Sequence, residues 1–477
     1  MGSGQVTDWQ GKNVTVAGLG VSGIPAAKVL HARGANVTVV NDGDDARARA
    51  QAAELEALGI TVRLGDGATL PDGTELIVTA PGWKPDKPLF AAAEQAGVPV
   101  WGDVELAWRL RGPDAAPWLA VTGTNGKTTT VQMLASILKA AGLRTAAVGN
   151  IGVSLLDAVL GEEQYSDLDV LAVELSSYQL HWAPSLRAHS AVVLNLAPDH
   201  LDWHGSMEAY AADKGRIYEG NRVACVYNVA DKATEDLVRE ADVEEGCRAI
   251  GFTLGTPAPS QLGVVEGILV DRAFVEDRQK NAQELAEVSD VNPPAPHNIA
   301  NALAAAALAR AFGVPPRAVR DGLRAFTPDA HRIAHVADVD GVAYVDDSKA
   351  TNTHAAQASL AAYDSIVWIA GGLAKGAVFE ELVAESAERL RAVVLMGADR
   401  GLIREALARH APEVPVVDLD RTDTGAMLAA VQEAKGLARP GDTVLLAPAC
   451  ASMDMFANYN QRGDAFAEAV RELGAGA

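Results

Sequence analysis

The chain has 477 residues, too many for one core at roughly 150 residues per domain, so about three domains are expected. Hydrophobic residues make up 49% and charged residues 21%, a globular balance that excludes a disordered chain. The formal charge of −22 opposes phosphate backbones and anionic lipid. No nucleic-acid or membrane partner is therefore expected, and any anionic substrate needs Lys and Arg placed locally.

Short β-branched runs alternate with Ala-rich helical stretches, which reads as α/β with largely parallel sheets. Met1 to Asn13 is polar with no apolar leader, and no apolar run of about 18 residues follows, so a soluble cytoplasmic protein is expected; a monomer is expected as well. Val14–Ala17 and Val37–Val40 read as strands flanking a helix over Ile24–Arg33. Leu76–Thr79 reads as a strand closing on the turn Ala80-Pro81-Gly82. A linker around Arg111 to Pro117 ends a first domain, 1–115. The second, 116–327, carries strands at Trp118–Thr122, Val170–Val173, Ala191–Leu196 and Val223–Tyr227. The acidic, weakly patterned stretch 254–290 reads as a loop or small β excursion, and helices follow over Ala300–Phe312 and Ala318–Phe326. The third domain, 328–477, alternates again, with strands at Ala343–Asp346, Ile366–Ala370, Val393–Met396, Val416–Leu419 and Val444–Leu446. Cys225, Cys247 and Cys450 lie far apart in sequence with no CxxC pair, which suits a reducing compartment and neither a disulfide scaffold nor structural zinc.

Five sets of residues carry chemistry. Gly18-Leu19-Gly20-Val21-Ser22-Gly23 is a GxGxxG turn between strand and helix, with Asn41-Asp42 ending the next strand. Pyrophosphate at a helix N-terminus explains this pattern for NAD(P) in an oxidoreductase and for another diphosphate nucleotide alike. Gly123-Thr124-Asn125-Gly126-Lys127-Thr128-Thr129-Thr130 follows a strand and leads to a helix over Val131–Ala141. Its glycines let main-chain N–H groups turn toward phosphate oxygens, Lys127 can meet the β/γ-phosphates, and the Thr128 hydroxyl can ligate Mg²⁺. The loop is shorter than GxxxxGK[ST], since Val121 stands where the first Gly would be. It tilts the choice toward ATP. Glu174, at the C-terminal end of its strand, is a candidate Mg²⁺ ligand. In Asp199-His200-Leu201-Asp202-Trp203-His204, no cysteine and no HExxH register supports zinc, so His200 reads as a Mg²⁺ or substrate residue. Three strand ends of the last domain, around Asp347-Ser348-Lys349, Gly371 to Gly376 and Pro448 to Ser452, should converge on one sheet edge. Their lysines suit a small carboxylate-bearing substrate.

These segments together resemble the ATP-dependent Mur ligases. The likeness is carried by GTNGKTT at 123–129, ELSSYQL at 174–180, NLAPDHLDWH at 195–204, HNIANALAA at 297–305, HR at 331–332, DSKATN at 347–352 and PACASMDMFANYNQRGDAF at 448–466. Folylpolyglutamate synthetases share the first of these, whereas DSKATN and PACAS resemble the D-glutamate-adding member. The resemblance implies a UDP-binding Rossmann-like domain, a central P-loop ATPase-type domain and a C-terminal Rossmann-like domain. It implies that ATP phosphorylates the carboxylate of UDP-N-acetylmuramoyl-L-alanine and that D-glutamate attacks the acyl phosphate. It assigns Lys127, His200 and Lys214 to catalysis. Thr128, Glu174, His200 and Lys214, the last as a carbamate formed with CO₂, would hold Mg²⁺, with two ions expected. On its own, Lys214 reads as a solvated helix residue. Asn298, His331, Arg332 and Asp347 join residues 123–130 around ATP. Val21, Ser22, Asp42, Gly82, Asn150 and Ser176 fall to the UDP substrate. Lys349, Thr351, Lys375, Ser452 and Tyr459 fall to D-glutamate. The chain departs from the family pattern at Asn41-Asp42-Gly43, on the uridine edge, and at Leu373-Ala374, where relatives often carry an acid.

Overall fold

The structure, a computed structural model, describes residues 8–112, 114–160, 165 and 167–475. Met1 to Thr7, part of the polar N-terminal stretch, lie outside the described residues. The chain forms two compact units, residues 1–291 with 299–326, and residues 292–298 with 327–477.

The first unit contains two sheets. One is built from β1 (Asn13–Ala17), β2 (Asn36–Asn41), β3 (Thr61–Leu64), β4 (Leu76–Thr79) and β5 (Val100–Gly102), in the order β3-β2-β1-β4-β5 with all pairs parallel. The chain departs from β1 in opposite directions to β2 and β4, so a crevice opens at their C-terminal ends. The Gly18–Gly23 turn stands at its rim.

The other sheet contains β6 (Trp118–Thr122), β7 (Thr145–Gly149), β8 (Val170–Glu174), β9 (Ser190–Val193), β10 (Ala224–Asn228), β11 (Arg248–Phe252), β12 (Gln261–Val265), β13 (Ile268–Asp271) and β14 (Gln283–Glu287). Their order is β14-β13-β12-β11-β10-β9-β6-β8-β7. All residues of β6 and β8 are buried, as expected of parallel strands covered on both faces. Of the two readings of the stretch 254–290, loop or small β excursion, the β one holds. The stretch supplies β12, parallel to β11, and the antiparallel pairs β12–β13 and β13–β14 that continue the sheet outward. Gly255, Pro257, Gly263 and Gly267 break up its pattern and leave the loop alternative open. Cys225 and Cys247, distant in sequence, meet at 3.9 Å between Sγ atoms.

Helix Lys127–Ala140, which leaves the phosphate loop, buries Val131, Leu134, Ile137 and Leu138 at helical spacing. Helix Pro316–Ala325 lies against it through Gly322, where an added Cβ would come 2.4 Å from the Ile137 Cα. The Ser136 hydroxyl donates to the Gly322 carbonyl at 2.7 Å. The backbones thus touch, and a methyl group has no space.

The second unit holds β15 (Ala334–Val339), β16 (Val342–Asp346), β17 (Ile366–Ala370), β18 (Leu390–Leu395), β19 (Val416–Asp418) and β20 (Thr443–Leu446), in the order β15-β16-β20-β17-β18-β19. Strands β16, β20 and β17 are parallel neighbours, so the three loops expected to converge do open along one edge.

Gly322→Ala should cost roughly 2 kcal/mol by forcing the two helices apart. Guanidinium unfolding checks this, and an unchanged midpoint would mean that the helices separate at no cost.

Candidate nucleotide-phosphate and metal site

Two glycines bend the chain after β6. Gly123 has φ +152°, and a Cβ there would lie 2.9 Å from the Leu194 Cβ. Gly126 has φ +84°, and its Cβ would lie 2.4 Å from the Asn301 Oδ1. The helix begins at Lys127, four residues before the expected Val131. Thr128–Thr130 are β-branched and weak helix formers, yet the turn at Gly126 starts the helix there. The first turn of a helix points N–H groups outward without helical carbonyls, and the helix dipole adds partial positive charge.

Asn195, to which the sequence assigned no role, clamps the loop. Its Oδ1 accepts from the Asn125 N–H at 2.8 Å, its Nδ2 donates to the Asn125 carbonyl at 3.1 Å, and its own carbonyl accepts from the Thr124 N–H at 3.0 Å. The Thr124 hydroxyl meets the Ala197 carbonyl at 3.1 Å and the Tyr210 hydroxyl at 3.0 Å. Thr130 is fully buried and its N–H bonds to the Gly126 carbonyl. Thr124 and Thr130 therefore shape the loop from behind, while the half-buried Lys127 and Thr128 stand at its opening.

Two lysines converge on one carbonyl. Lys127 Nζ donates to Gly123 O at 2.9 Å and to Thr124 O at 2.8 Å. Lys214 Nζ donates to the same Gly123 O at 2.9 Å, with the Thr122 Oγ1 at 3.4 Å. Lys214 is not a solvated residue. Helix Met207–Gly215 turns it inward until it is 2% exposed, with its Nζ 4.7 Å over the Tyr210 ring. Burial above all, then the Lys127 charge, holds its pKa well below the lysine range and favours the neutral amine.

Glu174 at the end of β8 is 2% exposed. One carboxylate oxygen accepts from the Asn150 Nδ2 at 3.1 Å. The other is buried without a hydrogen-bond partner among the described residues, an arrangement that is costly for an anion unless a cation meets it. His200, φ +54°, precedes the short helix Leu201–His204 and packs at 4.9 Å between ring centroids on Tyr178. Burial first lowers its pKa; Asp199 opposes the shift, and Lys127 and Lys214 add to it. An orphaned carboxylate oxygen, a lysine primed to be neutral and a hydroxyl at the loop fit a divalent cation.

Around the first sheet, the Ser22 hydroxyl donates to the Asp103 Oδ2 at 2.8 Å. Asp42 pairs with Lys87 at 2.5 Å, and Lys87 lies 4.8 Å over the Trp83 ring. Val21 is 84% exposed. The Gly82 carbonyl accepts from the Trp203 indole at 3.3 Å. Ser176 caps helix Ser177–His181 in a capping box with Gln179. Asn41 is spent internally, accepting from the Leu19 N–H at 3.1 Å. Trp83, Lys87 and Asp103 gave no sequence signal, because only the fold brings them to the crevice.

In the second unit, His331 Nδ1 lies 2.6 Å from the Asp346 Oδ2, which raises its pKa. Asp347 is 7% exposed, accepts from the Ile333 N–H at 3.3 Å and from the Ser359 hydroxyl, and is pushed up to about 6 by burial, with Arg332 opposing. Asn298 is buried in the short stretch 292–298. Lys349 Nζ stands 4.1 Å over the Tyr459 ring, and the Thr351 N–H donates to the Lys349 carbonyl at 2.8 Å. Ser452 is 3% exposed, and Lys375 takes φ +51°. Arg462, missed in the sequence although it lies in the 448–466 segment, is wholly buried. It bonds the Ser348 carbonyl at 2.7 Å, the Ser348 hydroxyl at 3.0 Å and the Cys450 carbonyl at 3.0 Å, so one guanidinium ties two of the converging loops together.

A glycine-bent phosphate loop on a parallel sheet, with a cation-seeking acid beside it, defines a nucleoside-triphosphate-using α/β enzyme. The chain belongs to the Mur ligase family. It matches the MurD-like N-terminal domain over 12–102, the Mur ligase middle domain over 121–309 and the Mur ligase glutamate ligase domain over 331–450. It is 89% identical to the UDP-N-acetylmuramoylalanine–D-glutamate ligase of Streptomyces avermitilis, over 98% of this chain and 100% of the relative. It is 59% identical to the enzyme of that name from Thermobifida fusca, over 97% of this chain and 99% of the relative. Among solved structures it resembles the UDP-N-acetylmuramate–alanine ligase of Thermotoga maritima, with a TM-score of 0.55 at 18% identity, over 97% and 99% of the two chains. The MurF ligase of that organism, solved with ADP, gives 0.56 at 17%, over 98% of this chain and 96% of the other. The three-domain α/β expectation holds, and the nicotinamide oxidoreductase reading of Gly18–Gly23 falls.

A carboxyl pKa raised from 3.8 to about 6 means that the folded state binds the proton more tightly than the unfolded state. Stability therefore falls as pH rises between these values. The raised His331 acts in the same direction, its contribution fading as pH climbs past its folded pKa. Asp347→Asn should be more stable than the parent at pH 8 by about 3 kcal/mol, with the gain shrinking toward pH 4. Denaturation at both pH values checks this, and an equal difference at both would remove the burial penalty.

Proposed function

We propose that this chain joins D-glutamate to UDP-N-acetylmuramoyl-L-alanine at the expense of ATP, in the synthesis of the peptidoglycan precursor. Both lysine amines meeting on the Gly123 carbonyl at the mouth of the phosphate loop carry this reading, supported by the near-identical relatives. A carboxylate resists attack by an amine. One of its oxygens first attacks the γ-phosphorus of ATP, breaking the bond to ADP and leaving an acyl phosphate. The D-glutamate nitrogen then attacks the carbonyl carbon, phosphate departs, and the nitrogen loses its proton as the amide forms.

The residues divide the work. The N–H groups of the first helical turn and Lys127 hold the transferring phosphoryl group and offset its growing charge. Thr128, Glu174, His200 and Lys214, the last as its carbamate, would hold Mg²⁺, two ions in all, which on binding draws negative charge from the phosphates. CO₂ reacts with neutral amines, and burial keeps Lys214 toward that form. The carbamate turns a cation into a carboxylate on a long arm. Asn298, His331, Arg332 and Asp347 complete the ATP contacts. Val21, Ser22, Asp42, Gly82, Asn150 and Ser176 receive the UDP substrate, and Lys349, Thr351, Lys375, Ser452 and Tyr459 receive D-glutamate. The domains in this reading are 1–115, 116–327 and 328–477, working as a cytoplasmic monomer. Among the described residues, no helix is long and apolar enough to cross a membrane.

Phosphate release should require both UDP-N-acetylmuramoyl-L-alanine and D-glutamate, and should fail with L-alanine, lysine or meso-diaminopimelate in place of D-glutamate. Release with none of these amino acids would defeat the reading. Lys127→Ala should lose on the order of 10²–10³ in turnover, as for one preorganised charge-stabilising group; activity within about threefold of the parent would remove that role. Lys214→Ala should be inactive alone and partly restored by acetate, and full activity without additive would refute the carbamate.

A further inference from the structure

Glu174, His200 and Lys214 sit on three different segments, and one carboxylate laces those segments together. Asp213, 6% exposed, precedes Lys214 on helix Met207–Gly215. His181 Nδ1 lies 2.9 Å from both its oxygens, and His204 Nδ1 lies 2.9 Å from Oδ2. Arg216 Nε lies 3.2 Å from Oδ1. An ionised carboxylate only accepts, so both imidazoles carry protons on Nδ1. The Nε2 of His204 lies 2.9 Å from the Ser177 hydroxyl.

The positions of these partners matter. Ser177 stands three residues beyond Glu174 and opens helix Ser177–His181, which ends at His181. His204 closes the helix that follows His200. It stacks on Tyr178 at 5.5 Å between ring centroids, and the other neighbours of Tyr178 include His200. Helices of five, four and nine residues have little orientation of their own and take it from tertiary ties. Asp213 thus accepts from His181 and His204, on the other two helices, and pairs with Arg216 at the end of its own.

We propose that Asp213 is a positioning residue, which locks these three short helices in the mutual register that turns Glu174, His200 and Lys214 toward the divalent-cation site. The inference rests on the metal reading above. It separates Asp213 from the phosphate cradle, which Asn195 clamps independently.

Asp213→Asn keeps the size but turns one acceptor into a donor that faces donors. Paramagnetic resonance with Mn²⁺ alone should show affinity lowered about tenfold to a hundredfold, as for loss of a residue that orients metal ligands. Metal-free ADP should bind the variant within about twofold of the parent, because the loop is intact. The ¹³C carbamate resonance in labelled bicarbonate should also shrink. Parental Mn²⁺ affinity in a folded Asp213→Asn would overturn the inference and leave the metal reading standing. No Mn²⁺ binding in the parent would overturn both. Should Asp213→Asn fail to fold, Ser177→Ala cuts only the Ser177–His204 link; it should still weaken Mn²⁺ about threefold or more, and unchanged affinity there would equally overturn the inference.

Discussion

One main-chain oxygen, the Gly123 carbonyl, receives two lysine nitrogens, and the local architecture follows from making that tolerable. Two ammonium groups on one acceptor in a buried setting repel each other. The arrangement persists because they are not equivalent. Lys127 rises at the half-exposed start of a helix, whereas Lys214 is sealed behind Tyr210 and Thr122 and is driven toward neutrality. The glycine is indispensable here, since its φ of +152° aims the carbonyl and leaves space for Leu194. The asymmetry leaves Lys127 half-exposed at the start of its helix while Lys214, sealed in, is held toward the neutral amine.

The second unit solves a related problem differently. Arg462 is fully buried, and burial pushes its pKa down only to about 10, so the guanidinium stays charged at neutral pH. It is satisfied mainly by carbonyl oxygens of two loops. A planar fork with five donors suits such cross-linking of main chains in a way that a lysine would not. The order of the neighbouring loops is thereby set from beneath, by a residue that faces away from solvent.

The long buried strands were legible because their apolar runs leave few alternatives, as at Trp118–Thr122 and Ile366–Ala370. Strands β3 and β5 were not, being only four and three residues long, with no residue of β3 fully buried. Strand β15 alternates His335, Asp338 and other partly exposed residues at an antiparallel edge, where hydrophobic pattern is weakest. In the site, residues inside a motif could be named from spacing alone: Lys127, Glu174 and His200. Residues defined by what they touch could not. The burial of Lys214 depends on which way a polar-looking helix faces, and Asn195 and Arg462 act through main-chain groups that leave no periodicity. Sequence resemblance recovered Lys214 where periodicity failed, because the resemblance carries tertiary information that a helix pattern lacks.

The hairpin strands that lengthen the central sheet also decide how that sheet ends. A parallel strand such as β11 left at the margin would offer a straight row of unpaired amides to any passing chain. Instead the margin is β14, whose Gln283, Glu284 and Glu287 are exposed and whose pairing with β13 is broken by a bulge at Leu269–Val270. Negative side chains along an irregular rim discourage a second molecule from adding its own strand there, so the segment that looked least organised in the sequence closes off this edge of the sheet.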